Sequence, residues 1–302
     1  MTAPQATTEG VPNDAALPLV WIDGRRVDAS AAGISPLDRG FTLADGLFET
    51  MRAYHGSVFR LDAHLRRLAA GAAVLGIPVA ADVPHTVSVA AGVLRGLGWA
   101  DAALRLTVTR GIGPRGLAPP VPAQPTVVLT VTPLAPREPL SARSVRVSTA
   151  PARRNEFAAT AGVKTLAYVE SVVALAYARG AGADDALFLD TAGHVCEATA
   201  SNVFVVAGST LHTPPRECGV LPGITRTAVL ELAATIGLVA CEDVLTPRDL
   251  ADADEAFLTS SIRELAPIAR VDDAQLPNGV PGPVTRRLAQ AFAELVEREC
   301  RP

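Results

Sequence analysis

Apolar and polar residues alternate from Gly46 to Tyr54 and the run ends at the turn His55-Gly56, which predicts a strand. From Leu61 to Leu75 apolar residues recur at helical spacing and stop before Gly76, which predicts a helix carrying His64 on its surface. Val83–Gly98 reads as a second helix, with Pro84 in the first turn, where a missing N–H costs little. Ala103–Arg110 and Thr126–Thr132 read as strands separated by the glycine- and proline-rich loop Gly111–Pro125. Val20–Val27 reads as the start of a hairpin turning at Asp23-Gly24. Farther along, Ser144–Thr149, Ala186–Leu189, Val203–Val206, Thr210–His212 and Ala256–Thr259 are expected to be short strands. Leu166–Arg179, Ile224–Ile236 and Gly282–Glu299 are expected to be helices. Strands and helices are mixed without strict βαβ alternation, so the pattern favours two α+β domains over a doubly wound sheet. The polar, proline-rich stretch Pro133–Ala142 is the best boundary between them.

Composition narrows the class. With 49% hydrophobic and 19% charged residues among 302, the chain can fill a core. Its longest apolar runs are strand-sized, well short of the ~18 residues of a membrane span. A net charge of −4 provides no basic field for nucleic acid. Met1–Leu17 is polar, with no basic segment leading into an apolar one, so it is expected to be a frayed tail and not a signal peptide. The four cysteines, Cys196, Cys218, Cys241 and Cys300, form no CxxC pair and are read as reduced thiols in a cytoplasmic protein. No ligand cluster suggests a metal. No GxGxxG opens a helix after a strand, and GxSxG and HExxH are also absent.

Lysine and arginine total 27, yet only Lys164 is a lysine. Arginine can replace lysine wherever a surface only needs charge. It cannot do so where the nitrogen must shed its proton, because a guanidinium stays protonated. Lys164 is therefore either a chance survivor or a nucleophile. Tyr168 lies four residues on, where a helical turn would bring its phenol to the same side. Glu197, in Glu197-Ala-Thr-Ala-Ser201-Asn202, precedes a strand, where a carboxylate also suits a turn cap. Gly219-Val-Leu-Pro-Gly223-Ile-Thr225-Arg226 opens a helix with free N–H groups that suit an anion, and Thr259-Ser260-Ser261 adds hydroxyls. Each motif alone also fits an ordinary turn. A lone lysine, a carboxylate and an anion cup together are what pyridoxal phosphate needs.

These residues lie within a longer resemblance, from about Trp21 to Leu288, carried by WIDGRRVDAS, LDRGFTLADGLFETMRAYHGSVFRLDAHLRRL, VKTLAY, DDALFLDTAGHVCEATASNVFV and HTPPRECGVLPGITR. The chain resembles the class IV aminotransferases, of fold type IV among pyridoxal-phosphate enzymes. Branched-chain aminotransferases, D-amino-acid aminotransferases and aminodeoxychorismate lyases belong to that family. The resemblance implies a small α/β domain over 18–135, a linker over 136–142 and a larger cofactor-binding domain with a barrel-like core over 143–302. It implies a homodimer acting on small amino acids and keto acids, with pyridoxal 5′-phosphate as cofactor. Lys164 matches the Schiff-base lysine and Glu197 the partner of the pyridine nitrogen. Tyr168 matches the tyrosine near the cofactor's phenolic oxygen. Arg60 matches the phosphate arginine, Ile224 and Thr225 the N–H and hydroxyl donors to phosphate, and Ser261 a further hydroxyl donor.

The pocket motifs point in different directions. Phe48-Glu49-Thr50, Arg110-Gly-Ile-Gly-Pro-Arg115-Gly116 and Thr259-Ser-Ser-Ile-Arg263-Glu264 are similar to lyase sequences. Leu117 stands where lyases often have tyrosine. Arg105 falls at the arginine of the branched-chain Tyr-x-Arg, with Ala103 in place of the tyrosine. Arg115 matches the carboxylate-binding arginine of D-amino-acid aminotransferases, but Leu117 replaces their histidine. Thr50, Arg105, Arg115 and Arg263 are thus the candidate substrate residues, with Arg115 expected to reach the partner subunit's site. The reading favoured is a transaminase, with a D-amino acid among the candidate donors. The alternatives are 4-amino-4-deoxychorismate lyase activity, giving pyruvate and 4-aminobenzoate, and a binding module that has lost its chemistry.

Overall fold

The structure, a computed structural model, describes residues 18–79, 83–277 and 280–301. The tail expected over 1–17 lies outside the described residues.

The N-terminal half builds one antiparallel sheet. Its strands are β1 (Leu19–Ile22), β2 (Arg25–Val27), β3 (Gly46–Tyr54), β4 (Ser57–Val58), β5 (Asp101–Thr109) and β6 (Thr126–Pro133), in the order β2-β1-β6-β5-β3-β4. A short helix α1 (Arg39–Leu43) precedes β3, and α2 (Leu61–Leu75) and α3 (Val83–Gly96) follow β4. The helices bury Leu68, Ala72, Val87, Ala90 and Leu94 against Met51, Leu104, Leu106 and Leu129 of the sheet. The helix expected at Leu61–Leu75 is present, but His64 is not on its surface: it is only 1% exposed and faces Glu49 of β3. A charge on the neighbouring strand supplies the partner that a buried imidazole needs.

The C-terminal half holds nine strands: β7 (Val145–Arg153), β8 (Asp185–Leu189), β9 (Val195–Ala198), β10 (Asn202–Ala207), β11 (Thr210–Thr213), β12 (Val239–Glu242), β13 (Glu255–Ser260), β14 (Glu264–Val271) and β15 (Ala274–Gln275). Pairings run β10-β13-β14-β7-β8-β9 and return from β9 to β10, so six strands close into a barrel. Helices α4 (Val169–Gly180), α5 (Ile224–Thr235), α6 (Pro247–Ala251) and α7 (Pro283–Glu299) complete this half. Strand β10 shows why its sequence is almost wholly apolar. Val203 and Val205 join one core cluster with Leu187, Leu258 and Ile268, whereas Phe204 and Val206 pack with α5 and α7. A strand buried on both faces loses the polar alternation. Phe204 stacks on Phe257, its register partner, with ring centroids 5.1 Å apart.

The short elements α1, β4, β9, β12, α6 and β15 have no counterpart in the sequence expectation, and two longer segments also differ from it. Strand β14 has no counterpart in it, because Pro267 interrupts the pattern by which strands are read. The helix expected from Leu166 begins only at Val169. Leu166 donates its N–H to the Gly46 carbonyl at 3.0 Å, and Phe48 N–H reaches the Lys164 carbonyl at 3.0 Å. The segment carrying Lys164 is therefore extended and tied to β3.

Candidate active site

Lys164 faces a cavity of about 380 Å³ between the two halves. Strand β3 contributes Phe48 and Thr50 to its wall, β5 contributes Arg105 and α2 contributes Arg67. The barrel side contributes Glu197, Thr199 and Asn202, the Gly223–Arg226 turn, and Thr259–Arg263. Lys164 Nζ donates to the Tyr168 hydroxyl at 3.1 Å and lies 4.3 Å from the Phe48 ring centroid. The loop tied to β3 makes the Lys164–Tyr168 contact, where a helical turn was expected. Burial, reinforced by the charge of Arg67, lowers the Lys164 pKa to about 8. Burial, with Glu197 nearby, raises the Tyr168 phenol to about 12.

Closure of the barrel places Glu197. Glu197 and Asn202 are register partners at the β9–β10 seam, and Asn202 Nδ2 donates to Glu197 Oε2 at 3.3 Å. The same oxygen accepts the Leu221 N–H at 3.0 Å, and Oε1 accepts from Arg154 Nη2 at 3.4 Å. Burial raises the Glu197 pKa, opposed by Arg154, the Leu221 N–H and Lys164. A carboxylate so placed is stabilised by a cation brought into the cavity.

Two observations make the α5 end a fitting cradle for a phosphate. Gly223 at the N-cap supplies no side chain to cap the first turn, so the N–H groups beside Ile224 and Thr225 are available to an anion. Thr259 Oγ1 is buried in the wall without a hydrogen-bond partner. Glycine is required at 223 by space: an added Cβ would meet Asn202 Oδ1 at 2.0 Å. Of the sequence candidates, Lys164, Tyr168, Glu197, Ile224, Thr225, Ser261, Thr50, Arg105 and Arg263 all line the cavity. Arg105 lies over the Phe48 ring at 3.8 Å and makes no ion pair among the described residues, so it is free to bind an added carboxylate. Arg263 also lines the cavity, but its Nη1 donates to buried Asp185 at 2.7 Å.

Arg60 does not belong to the site, which corrects the sequence expectation. Its guanidinium pairs with Glu231 of α5 at 2.6 Å and Glu299 of α7 at 3.3 Å, away from the cavity. The cavity arginine is Arg67, seven residues later on α2, bonded to Glu49 and to the Pro222 carbonyl. Nothing within the α2 segment itself marks Arg67 over Arg60, because the partners that place them, Glu49 for one and Glu231 and Glu299 for the other, lie on other elements. Thr199 and Asn202 were also missed as cavity residues, although the Glu197–Asn202 motif contained them, whereas the hydroxyl-bearing Thr259-Ser260-Ser261 run expected at an anion does line the cavity. Arg115 does not line the cavity of its own protomer. It lies in an exposed loop whose carbonyls at Gly116 and Leu117 accept hydrogen bonds from Arg39, each at 3.0 Å. The exchange of Arg60 for Arg67 predicts a clear contrast. Arg67→Gln is expected to weaken pyridoxal phosphate binding roughly tenfold or more, measured by titrating the stripped protein. Arg60→Gln should leave that affinity unchanged and cost at most about 1 kcal/mol of stability, since Glu231 is half exposed.

A mixed barrel joins a lone desolvated lysine and a carboxylate in one cavity beside an anion cradle, an enzyme-like site. The family model described as amino-transferase class IV matches residues 46–271, and the chain belongs to that family. A Methanocaldococcus jannaschii protein provisionally named a branched-chain-amino-acid aminotransferase is 36% identical over 277 residues, covering 91% of this chain and 96% of the relative. The D-alanine aminotransferase of Bacillus licheniformis is 31% identical, with 93% of this chain and 98% of the relative covered. The solved 4-amino-4-deoxychorismate lyase of Pseudomonas aeruginosa superposes with a TM-score of 0.79 at 33% identity, covering 93% of this chain and 99% of that one.

Proposed function

We propose that this protein is a pyridoxal-phosphate-dependent transaminase, moving an amino group between an amino acid, D or L, and a 2-oxo acid. The observation that carries this reading is the only lysine of the chain, desolvated in a cavity that it shares with the largely buried Glu197 carboxylate. Pyridoxal phosphate, when bound, supplies an aldehyde for attachment and an electron sink for the pair released from the substrate α-carbon. Lys164 holds the cofactor and, once freed by the amino substrate, takes the α-proton on Nζ. A pKa of about 8 leaves a useful share of that amine neutral near pH 7. The Tyr168 hydroxyl fixes the direction of Nζ. Glu197 sits where a protonated ring nitrogen would find its counter-charge, while Arg67, Thr225, Ser261, Thr259 and the α5 N-terminus hold the phosphate. Arg105 and Thr50, register partners across β3 and β5, face the substrate side with Arg263.

The protein acts as a homodimer in this reading. Val169, Val172, Val173 and Tyr177 form an exposed apolar stripe on α4, and Phe41 and Phe157 are also exposed, surface that a second copy would cover. Arg115, on its ordered loop, then binds substrate carboxylate in the partner's site. The described residues include no helix long and apolar enough to cross a membrane. All four cysteines are free, which fits cytoplasmic residence.

Transamination and lyase chemistry separate in one experiment. With a transaminase, a suitable D- or L-amino acid alone should bleach the yellow band of the loaded protein and release one keto acid per site. A lyase would keep the band, and release pyruvate and 4-aminobenzoate from aminodeoxychorismate turnover after turnover. Failure of every amino acid to bleach the band, with aminodeoxychorismate consumed, would establish the lyase. A colourless protein that ignores added cofactor would leave a binding module.

A further inference from the structure

Behind the cavity wall lies a buried polar cluster whose function is not explained by cofactor contact. Glu49 is 1% exposed on β3. It accepts from Arg67 Nε at 2.8 Å and Arg67 Nη2 at 2.6 Å, a two-point grip along one edge of the guanidinium. His64 Nδ1 lies 2.7 Å from the same Glu49 oxygen that receives Nη2, and the imidazole is itself 1% exposed. Arg67 Nη1 donates to the Pro222 carbonyl at 2.9 Å, next to the Gly223 N-cap of α5. Burial would raise the Glu49 carboxyl, but the bonds from Arg67 and His64 outweigh it and hold it below its ordinary value. Burial also lowers the His64 pKa below its ordinary value, against the pull of Glu49, which favours a neutral ring donating Nδ1–H.

Three of the five guanidinium N–H donors of Arg67 are committed to Glu49 and Pro222. One N–H on each terminal nitrogen remains for the cavity, where Thr225 and Ser261 also stand. The side chain makes no other ion pair among the described residues. Without the grip on its inner edge, a cation on a flexible three-methylene stem would be free to sample several rotamers. We infer that Glu49, buttressed by His64, is a positioning residue that aims the two free N–H groups of Arg67 at the phosphate of the cofactor. This inference rests on the cofactor reading above.

The test compares pyridoxal 5′-phosphate with pyridoxal, which lacks the phosphate, as ligands of the stripped full-length protein. The readout is the ratio of the two dissociation constants, taken from absorbance titrations. In the wild type that ratio should strongly favour the phosphate form. In Glu49→Gln the preference should fall at least about tenfold, the size of one lost charge-assisted contact, with pyridoxal affinity unchanged. His64→Leu should reduce the preference in the same direction. His64→Asn, whose amide keeps an N–H near the Nδ1 position, should restore most of it. A merely structural role would lower thermal stability and both affinities together, leaving the ratio intact, and that result would overturn the inference. If Glu49→Gln does not fold, an unchanged ratio in folded His64→Leu overturns it equally. A wild type with no phosphate preference would instead sink the phosphate cradle itself.

Discussion

Lys164→Arg is expected to abolish covalent capture of pyridoxal phosphate and to reduce turnover by at least about 10⁴-fold, the upper end of what one positioned base contributes. Arginine keeps the positive charge and much of the bulk, so the fold should persist, but its guanidinium yields no free amine near neutral pH. Borohydride reduction of the loaded wild type, followed by peptide mapping, should find the cofactor on Lys164 and nowhere else. Label on another residue would be impossible to reconcile with the site, since the chain holds no second lysine. The pH dependence carries a sign. Lys164 is lowered from 10.5 to about 8 by burial and the charge of Arg67. Only the neutral amine attacks an aldehyde. The rate of cofactor capture by the stripped protein should therefore rise as pH increases through about 8 and level off above it. An unshifted lysine would place that rise more than two units higher.

Glu197→Gln should slow α-proton removal roughly a hundredfold or more while changing cofactor affinity far less. Breaking a buried charge pair costs about 3–5 kcal/mol, and each 1.4 kcal/mol is about tenfold in rate. That cost falls mainly on the step in which the ring must accept electrons, because only then is the protonated nitrogen demanded. A glutamine oxygen can still accept the Leu221 N–H, so the β9–β10 seam should hold. The proposed phosphate contacts do not involve residue 197. Stopped-flow decay of the yellow band after mixing with an amino acid measures the rate, and titration of the stripped protein measures the affinity. Wild-type decay in the variant would reduce Glu197 to a turn cap.

The local chemistry was legible in the chain. A single lysine among 27 basic residues, an uncapped glycine at a helix start and a glutamate before a strand are properties of short segments. They persist whatever those segments pack against. The helix Leu61–Leu75 and the strand Gly46–Tyr54 were legible for the same reason, since each has one clear period. The segment around Lys164 was less so: hydrogen bonds to Gly46 and Phe48 hold it extended against any helical preference.

Tertiary structure alone decided which arginine enters the site. Arg60 and Arg67 both lie at or on α2, and nothing within the segment separates their destinations. Glu231 and Glu299 lie 171 and 239 residues from Arg60 and draw it to the surface of α5 and α7. Glu49, on the strand beneath α2, draws Arg67 inward together with His64. Glu197 likewise meets Asn202 and the Leu221 N–H only because β9 closes the barrel against β10. A residue's type fixes what it can do locally. Whether a charge is paired, buried or aimed depends on partners that distant chain segments bring to it, because coulombic and hydrogen-bond energies follow distance in space and not separation in sequence.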